Sequence, residues 1–150
     1  MRLGRYGLSG FGSRPFGMFR TLTLPNGFEI HAEVAVEPED LTRGLMFRER
    51  LNPDEGMLFV HPNVGLFPIW MRNTLIPLDA IWLLSDGTIV EMACGAQPCK
   101  SDDCPRYGGT KPSGLTLEVA AGTIRRNGLR VGERIQIMKP ALVPTLVNHG

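Results

Sequence analysis

The sequence predicts an α+β domain in which a mainly antiparallel, curled sheet of short strands, with two short helices, forms a partial β-barrel. Three observations lead to this fold class. The 18 Gly and 12 Pro residues among 150 indicate many turns, and therefore short elements. Alternating apolar and polar residues recur along the chain, which is the period of a half-buried strand. Helical spacing is confined to two brief segments.

The first predicted element is a β-hairpin over residues 19–36. Apolar and polar residues alternate on both sides of a Pro-Asn-Gly sequence at 25–27, which is typical of tight turns. A short helix is expected next, because Pro38 suits a first helical turn. Leu41 and Leu45 would share the buried side of this helix.

Further strands and loops are expected along the rest of the chain. The sequence HPNVGLFP at 61–68 predicts a loop, and residues 95–113, which contain Gly, Pro and Cys, predict one long loop. A helix of one or two turns is expected over 122–127, ended by Gly128. Strands are predicted within 57–60, 69–71, 80–84, 88–93, 115–121 and 131–138.

The predicted organisation is a single globular domain over residues 20–139. Residues 1–19 would be a flexible basic arm and residues 140–150 a C-terminal arm. A net charge of +1 gives no reason to expect a nucleic-acid partner. No run of 18 apolar residues predicts a transmembrane segment, and the first residues lack the continuous apolar run of a secretory signal.

The main functional signal is a group of polar residues inside the apolar stretch WMRNTLIPLDAIWL at 70–83. Asn and Asp at strand ends commonly make turns or bond loop amides, and this alternative stays open. The functional hypothesis is that they form the polar lining of an apolar pocket, with Trp and Met walls. The candidate binding residues are Met46, Trp70, Met71, Asn73, Thr74, Asp79 and Glu118.

Acid–base chemistry is the catalytic alternative. Asp79 is the candidate general base, since a carboxylate walled by apolar side chains could accept a proton. Glu118 could complete an acid pair with Asp79, although an exposed strand acid, or one paired with Arg72, is the simpler interpretation. The sequence contains no recognisable nucleophile–base pair, phosphate-binding loop or metal-ligand spacing. No metal or cofactor is therefore expected.

Several motifs together resemble one known family. The segments EDLTRGLMFRERL, DEGMLFV, IWMRNTLIPLDAIWLLSDGTIV, QPCKSDDCPRYG, LTLEVAAG and GLRVGERI occur in the order typical of the domain-of-unknown-function 192 (DUF192) family, over about residues 28–138. The resemblance implies a small single-domain bacterial or archaeal protein without an established activity or known catalytic residues. Many members look exported, so the resemblance suggests an extracytoplasmic, periplasmic location.

The same resemblance bears on the cysteines. In an exported protein, Cys99 and Cys104 would form a disulfide that pins the long loop, with Cys94 left over. In a reducing compartment they would be ordinary thiols. The resemblance to exported proteins favours the disulfide.

Three functions are compatible with the sequence. The first is an accessory module that binds a ligand or partner, an unknown small molecule or protein, in a pocket near Trp70–Asp79. The second is a small hydrolase or lyase that uses Asp79. The third is a structural domain that binds proteins through a sheet edge. The lack of a catalytic constellation ranks binding above catalysis.

Overall fold

The computed structural model describes residues 18–138, so the predicted arms at 1–19 and 140–150 lie outside the described residues, apart from positions 18 and 19. Strands β1 to β9 are Phe19–Thr23, Glu29–Ala35, Glu55–Gly65, Ile69–Trp70, Leu78–Leu83, Ile89–Ala96, Arg106–Tyr107, Ser113–Ala120 and Gln136–Ile137. Helices α1 and α2 are Pro38–Arg43 and Thr123–Arg126.

Seven of the strands form one sheet in the order β6-β5-β8-β3-β2-β1-β9. Every neighbouring pair is antiparallel except β2 and β3, which run parallel because α1 and the loop after it return the chain. Strands β4 and β7 form a separate two-stranded sheet. The predicted α+β class, with a mainly antiparallel curled sheet and two short helices, is confirmed.

The two ends of this strand order approach each other. The Ile89 N–H donates to the Glu133 carbonyl at 2.8 Å, and the Gly132 N–H donates to the Ile89 carbonyl at 2.8 Å. The Ile135 N–H donates to the Gly87 carbonyl at 2.9 Å. The segment before β9 is thereby joined to the start of β6, and the sheet curls into a partial barrel.

The main core fills the inside of this curled sheet. Leu58, Leu117 and Ile81 lie side by side on three neighbouring strands, and all three are buried. Side chains alternate between the faces of a strand, so every second residue of each strand contributes to the same cluster. Its other members are Leu22, Leu24, Ile30, Ala32, Leu83, Ile89, Val119, Ile124, Leu129 and Ile135.

A second apolar cluster covers the outer face of the sheet. Met57 and Ala80 precede the core residues Leu58 and Ile81 by one position, so their side chains point outward. Both residues pair with Glu118, one on each side of β8. The segment after α1 and the small β4–β7 sheet pack over them, so the central strands are buried on both faces. The buried members are Ala35, Leu45, Met57, Phe59, Met71, Leu78 and Ala96.

Asp79 ties together one end of the barrel. Its Oδ1 accepts a hydrogen bond from the Gly95 N–H at 2.9 Å. Its Oδ2 accepts bonds from the N–H groups of Gly122 at 3.1 Å and Ile124 at 2.9 Å. The carboxylate therefore caps the start of α2 from strand β5 and also holds β6 in place.

Two adjacent glycines seat the Cys-containing loop on the outer face. Gly108 and Gly109 have φ of +57° and +70°, in the region that favours glycine. A Cβ atom at Gly108 would overlap the Trp82 ring, and one at Gly109 would overlap the backbone at Pro68. The Trp82 Nε1–H donates to the Phe67 carbonyl at 2.7 Å, which fixes the same contact region.

Two predicted loops are wrong in part. Strand β3 continues to Gly65 with an irregularity after Val60, because pairing with β8 resumes at Ser113 beyond the unfavourable Pro62. The long loop contains β7, which pairs with β4 over only two residues each and so leaves no periodic signal.

Replacing Asp79 tests whether its three hydrogen bonds stabilise this end of the barrel. We expect Asp79→Ala to lower the free energy of unfolding by about 3 kcal/mol, because three backbone N–H groups lose their acceptor. Urea denaturation measures this change. The control is Asp103→Ala at an exposed loop position, which should stay within about 0.5 kcal/mol of the wild type. Equal stability of the two variants would contradict the assigned role.

Candidate functional site

A cavity of about 580 Å³ lies on the outer face of the sheet. Strands β3 and β8 supply its floor, the segment that ends α1 supplies one wall, and the segment leading into β4 supplies the other. The floor residues are Phe59, Thr116 and Glu118, the wall segments are 41–46 and 66–70, and Arg106 of β7 lies at the side.

The Glu118 carboxyl is buried on this floor. The residue is only 8% exposed, and no hydrogen bond or ion pair to its carboxyl is found among residues 18–138. Burial raises the pKa of Glu118 from 4.5 to about 7. The protonated form of this carboxyl therefore persists to higher pH than that of an exposed glutamate.

A hydroxyl–imidazole pair lies next along the floor. His61 Nε2 and Thr116 Oγ1 are 2.8 Å apart. The His61 ring stacks on Phe67, with centroids 3.7 Å apart and an interplanar angle of 6°. Burial lowers the pKa of His61, so its imidazole is neutral at pH 7. Sequence reasoning missed this pair because 55 positions separate its members.

Trp70 forms a wall whose ring is contacted by arginines. The Arg106 guanidinium carbon lies 4.7 Å from the ring centroid, and that of Arg72 lies 5.9 Å away. Arg106 is the β7 residue paired with Trp70, and Arg72 also bonds Asp102 at 2.7 Å. The indole is therefore held in position by both cation–π contacts and strand pairing.

The predicted binding residues divide into two groups. Met46, Trp70, Thr74 and Glu118 all line the cavity. Met71 does not, because it is 1% exposed within the outer apolar cluster.

The expectation that Asp79 lines the pocket as a general base is wrong. Asp79 pairs with Val119 across the strands, whereas Ala80 pairs with Glu118. Side chains of directly opposed residues share a face, so the two carboxylates point to opposite sides of the sheet. The suggested Asp79–Glu118 acid pair is excluded for the same reason.

Asn73 makes a turn instead of lining the cavity. Its φ of 57° lies in the left-handed region, which Asn tolerates better than most residues. Its N–H donates to the Cys99 carbonyl at 2.9 Å, and its carbonyl accepts the Phe47 N–H at 2.8 Å. The turn-making alternative for Asn73 therefore accounts for its position.

The Cys-containing loop lies beside the same turn. Cys99 and Cys104 form a disulfide with an S–S distance of 2.08 Å, and Cys94 is free and exposed. The Cys99 N–H donates to the Met71 carbonyl at 3.2 Å. Because Arg106 follows Cys104 by two residues, the disulfide loop leads directly into the side of the cavity.

A second concavity, of about 800 Å³, lies between the β1–β2 turn, the β5–β6 turn and strand β9. Its charged side chains are exposed, and Arg134 donates to the Asp86 carbonyl at 2.8 Å. It contains no buried carboxyl comparable to Glu118. Within residues 18–138, no three His, Cys, Asp or Glu side chains are grouped as metal ligands would be, and no helix has the length and apolar character needed to span a bilayer.

Comparison with known proteins gives a family and two structural relatives. The model of the DUF192 family, described as "Uncharacterized ACR", matches residues 21–137. A solved structure from Sinorhizobium meliloti 1021, described as a "putative transcription regulator", is 33% identical with a TM-score of 0.71, covering 81% of this chain and 95% of that one. A protein of unknown function from Novosphingobium aromaticivorans DSM 12444 is 30% identical with a TM-score of 0.71, covering 80% and 84%. No curated protein matches.

The raised pKa of Glu118 predicts a specific dependence of stability on pH. The pKa of about 7 in the folded chain lies above the ordinary value of 4.5, so the folded state binds this proton more strongly. Stability is therefore lost as pH rises between these values, by about 3 kcal/mol from this group. Glu118→Gln removes that loss.

Urea denaturation across this pH range measures the effect as the difference between Glu118→Gln and the wild type. The free energy of unfolding of Glu118→Gln should increase relative to that of the wild type as pH rises. Glu49→Gln, at an exposed position, should follow the wild type. A constant difference for Glu118→Gln would show that the carboxyl is not buried in a low-dielectric site.

The disulfide predicts a simple labelling pattern. Alkylation of the unfolded, unreduced protein should add one label, on Cys94, and prior reduction should expose all three thiols. Intact mass spectrometry reads the number of labels. Replacing both Cys99 and Cys104 by Ser should cost about 2 kcal/mol or less, because the closed ring is small. Three labels without reduction would exclude the bond.

Proposed function

We propose that this chain, which belongs to the DUF192 family of uncharacterized proteins, is a binding module that takes a small organic molecule into the cavity over β3 and β8. The observation that carries the proposal is the Glu118 carboxyl, buried on the cavity floor without a partner among the described residues. Its carboxyl opens onto the cavity, where a hydrogen-bond donor of a ligand would take the place of water.

The size and lining of the cavity support the same function. Small-molecule pockets commonly measure about 300–1,000 Å³ and combine apolar walls with a few polar groups. Here Phe59, Trp70 and Met46 supply apolar surface. Glu118 and the His61–Thr116 pair supply the polar groups. They lie close together on one face of the sheet, on the paired strands β3 and β8. This rigid floor would fix the orientation of a ligand.

Catalysis is the second candidate, because one observation favours it. The cavity holds a neutral imidazole bonded to a hydroxyl, and a carboxyl whose pKa is close to 7. Groups of this kind can exchange protons with a substrate at neutral pH. A small hydrolase or lyase would then use Glu118 in place of Asp79. It ranks second because no described residue hydrogen-bonds His61 Nδ1 to orient the ring.

A protein-interaction role through a sheet edge has less support. The edges of β6 and β9 are partly joined through residues 132–135, which leaves less free edge for a partner strand.

Filling the cavity tests the proposal directly. Met46 lines the cavity, whereas the adjacent Phe47 is 64% exposed and lies outside it. Compounds that raise the melting temperature of the wild type should lose this effect in Met46→Trp and keep it in Phe47→Trp. A compound at about 100 times its Kd stabilises by about 2.7 kcal/mol, which thermal-shift screening detects readily.

The two variants carry the same new side chain at neighbouring positions, so general effects of tryptophan are matched. Arg134→Ala reports on the other concavity. The proposed site would be contradicted by ligands that still raise the melting temperature of Met46→Trp but no longer raise that of Arg134→Ala.

A further inference from the structure

We infer that the ligand of this cavity carries a cationic nitrogen, an organic ammonium or amidinium group, which sits against Glu118 while its apolar body lies along the aromatic wall. This inference rests on the proposed function and names the chemical class of the ligand. Two buried glutamates on one face of the sheet, Glu33 and Glu118, support it.

Glu33 and Glu118 occupy matching positions on either side of Met57. Met57 of β3 pairs with Glu33 of β2 on one side and with Glu118 of β8 on the other, so all three side chains share the outer face. Glu33 is 4% exposed and Glu118 is 8% exposed. The same sheet face thus buries Glu33 and Glu118 to a similar extent.

The two glutamates differ in what neutralises them. The Arg48 Nη1 and Nη2 donate to the Glu33 carboxylate at 2.6 and 3.0 Å, which is a bidentate ion pair. Glu118 has no such guanidinium within residues 18–138 and instead faces the open cavity. A carboxylate that leaves water is stabilised by a cation with hydrogen-bond donors. At Glu118 the ligand would fill the place that Arg48 fills at Glu33.

The cations around the cavity already have other contacts. Arg72 bonds Asp102, Arg106 stacks on Trp70, and Arg43 lies at the end of α1 on the opposite wall. None of them contributes to the pKa of Glu118, which burial alone raises. The carboxyl is therefore left for an incoming donor.

The aromatic wall suits the same kind of ligand. The Trp70 ring lines the cavity, and an aromatic ring attracts a cation, as its contacts with Arg106 and Arg72 show. Phe59 and Met46 provide apolar surface for an alkyl or aryl body. An anionic ligand would instead place like charge beside Glu118.

Three probes that share one ring and differ in head group test the inference: benzylamine, benzyl alcohol and benzoate. Binding to the full chain is followed by proton–nitrogen NMR, with the Trp70 indole N–H as the reporter of the cavity. We expect benzylamine to bind at least about tenfold more tightly than benzyl alcohol, as a charge-assisted bond would give. Glu118→Gln should remove this preference, and Glu49→Gln should retain it.

The pH dependence supplies an independent readout. The titratable or charged groups that share the cavity with Glu118 are His61 on β3, Arg43 on α1 and Arg106 on β7. Benzylamine affinity should rise about tenfold from about pH 6 to about pH 8, because Glu118 ionises over this range. Benzyl alcohol affinity should not rise.

The outcomes separate the two proposals. If benzyl alcohol or benzoate binds as tightly as benzylamine, and Met46→Trp blocks that binding, the cationic ligand is excluded and the binding module remains. If none of the three probes shifts the Trp70 signal up to its solubility limit, the cationic ligand is excluded, whereas the binding module fails only if no compound stabilises the wild type and loses this effect in Met46→Trp.

Discussion

The central strands of this sheet are buried on both faces, and this constraint acts on the carboxylates that they and the neighbouring β2 carry. An inner cluster fills the curled sheet, and an outer cluster is covered by the segment after α1 and by the β4–β7 sheet. Residues 55–59 of β3, all of β5 and residues 116–119 of β8 are buried. Each acidic side chain there needs hydrogen-bond donors or a cation to stabilise its charge.

Three carboxylates meet this constraint in three ways. Asp79 points into the barrel and accepts three backbone N–H groups, so its charge is used to hold β6 and α2. Glu33 points outward and takes a bidentate bond from Arg48. Glu118 points outward into a cavity and has no partner in the part of the chain described. The first two carboxylates are stabilised within the protein, whereas the third faces a cavity in which a ligand could bind.

The sequence predicts the fold better than the site, and particular residues show why. Period-two alternation identified the β1–β2 hairpin, because both strands are local and carry clear patterns. The prediction for Asp79 is wrong because a local pattern does not reveal which face of a doubly covered strand lies toward the cavity. Glu118 and the His61–Thr116 pair become neighbours only through the pairing of β3 with β8, which joins segments about 60 residues apart.

The most direct test is the ionisation of Glu118 itself. Carbon-detected NMR of the free chain, with the Glu118 carboxyl assigned by comparison with Glu118→Gln, gives the midpoint of its titration. We expect a midpoint near pH 7. A midpoint near the ordinary 4.5 would mean that the carboxyl is already solvated or paired, and the cavity would then hold no unmet charge for a ligand to complete.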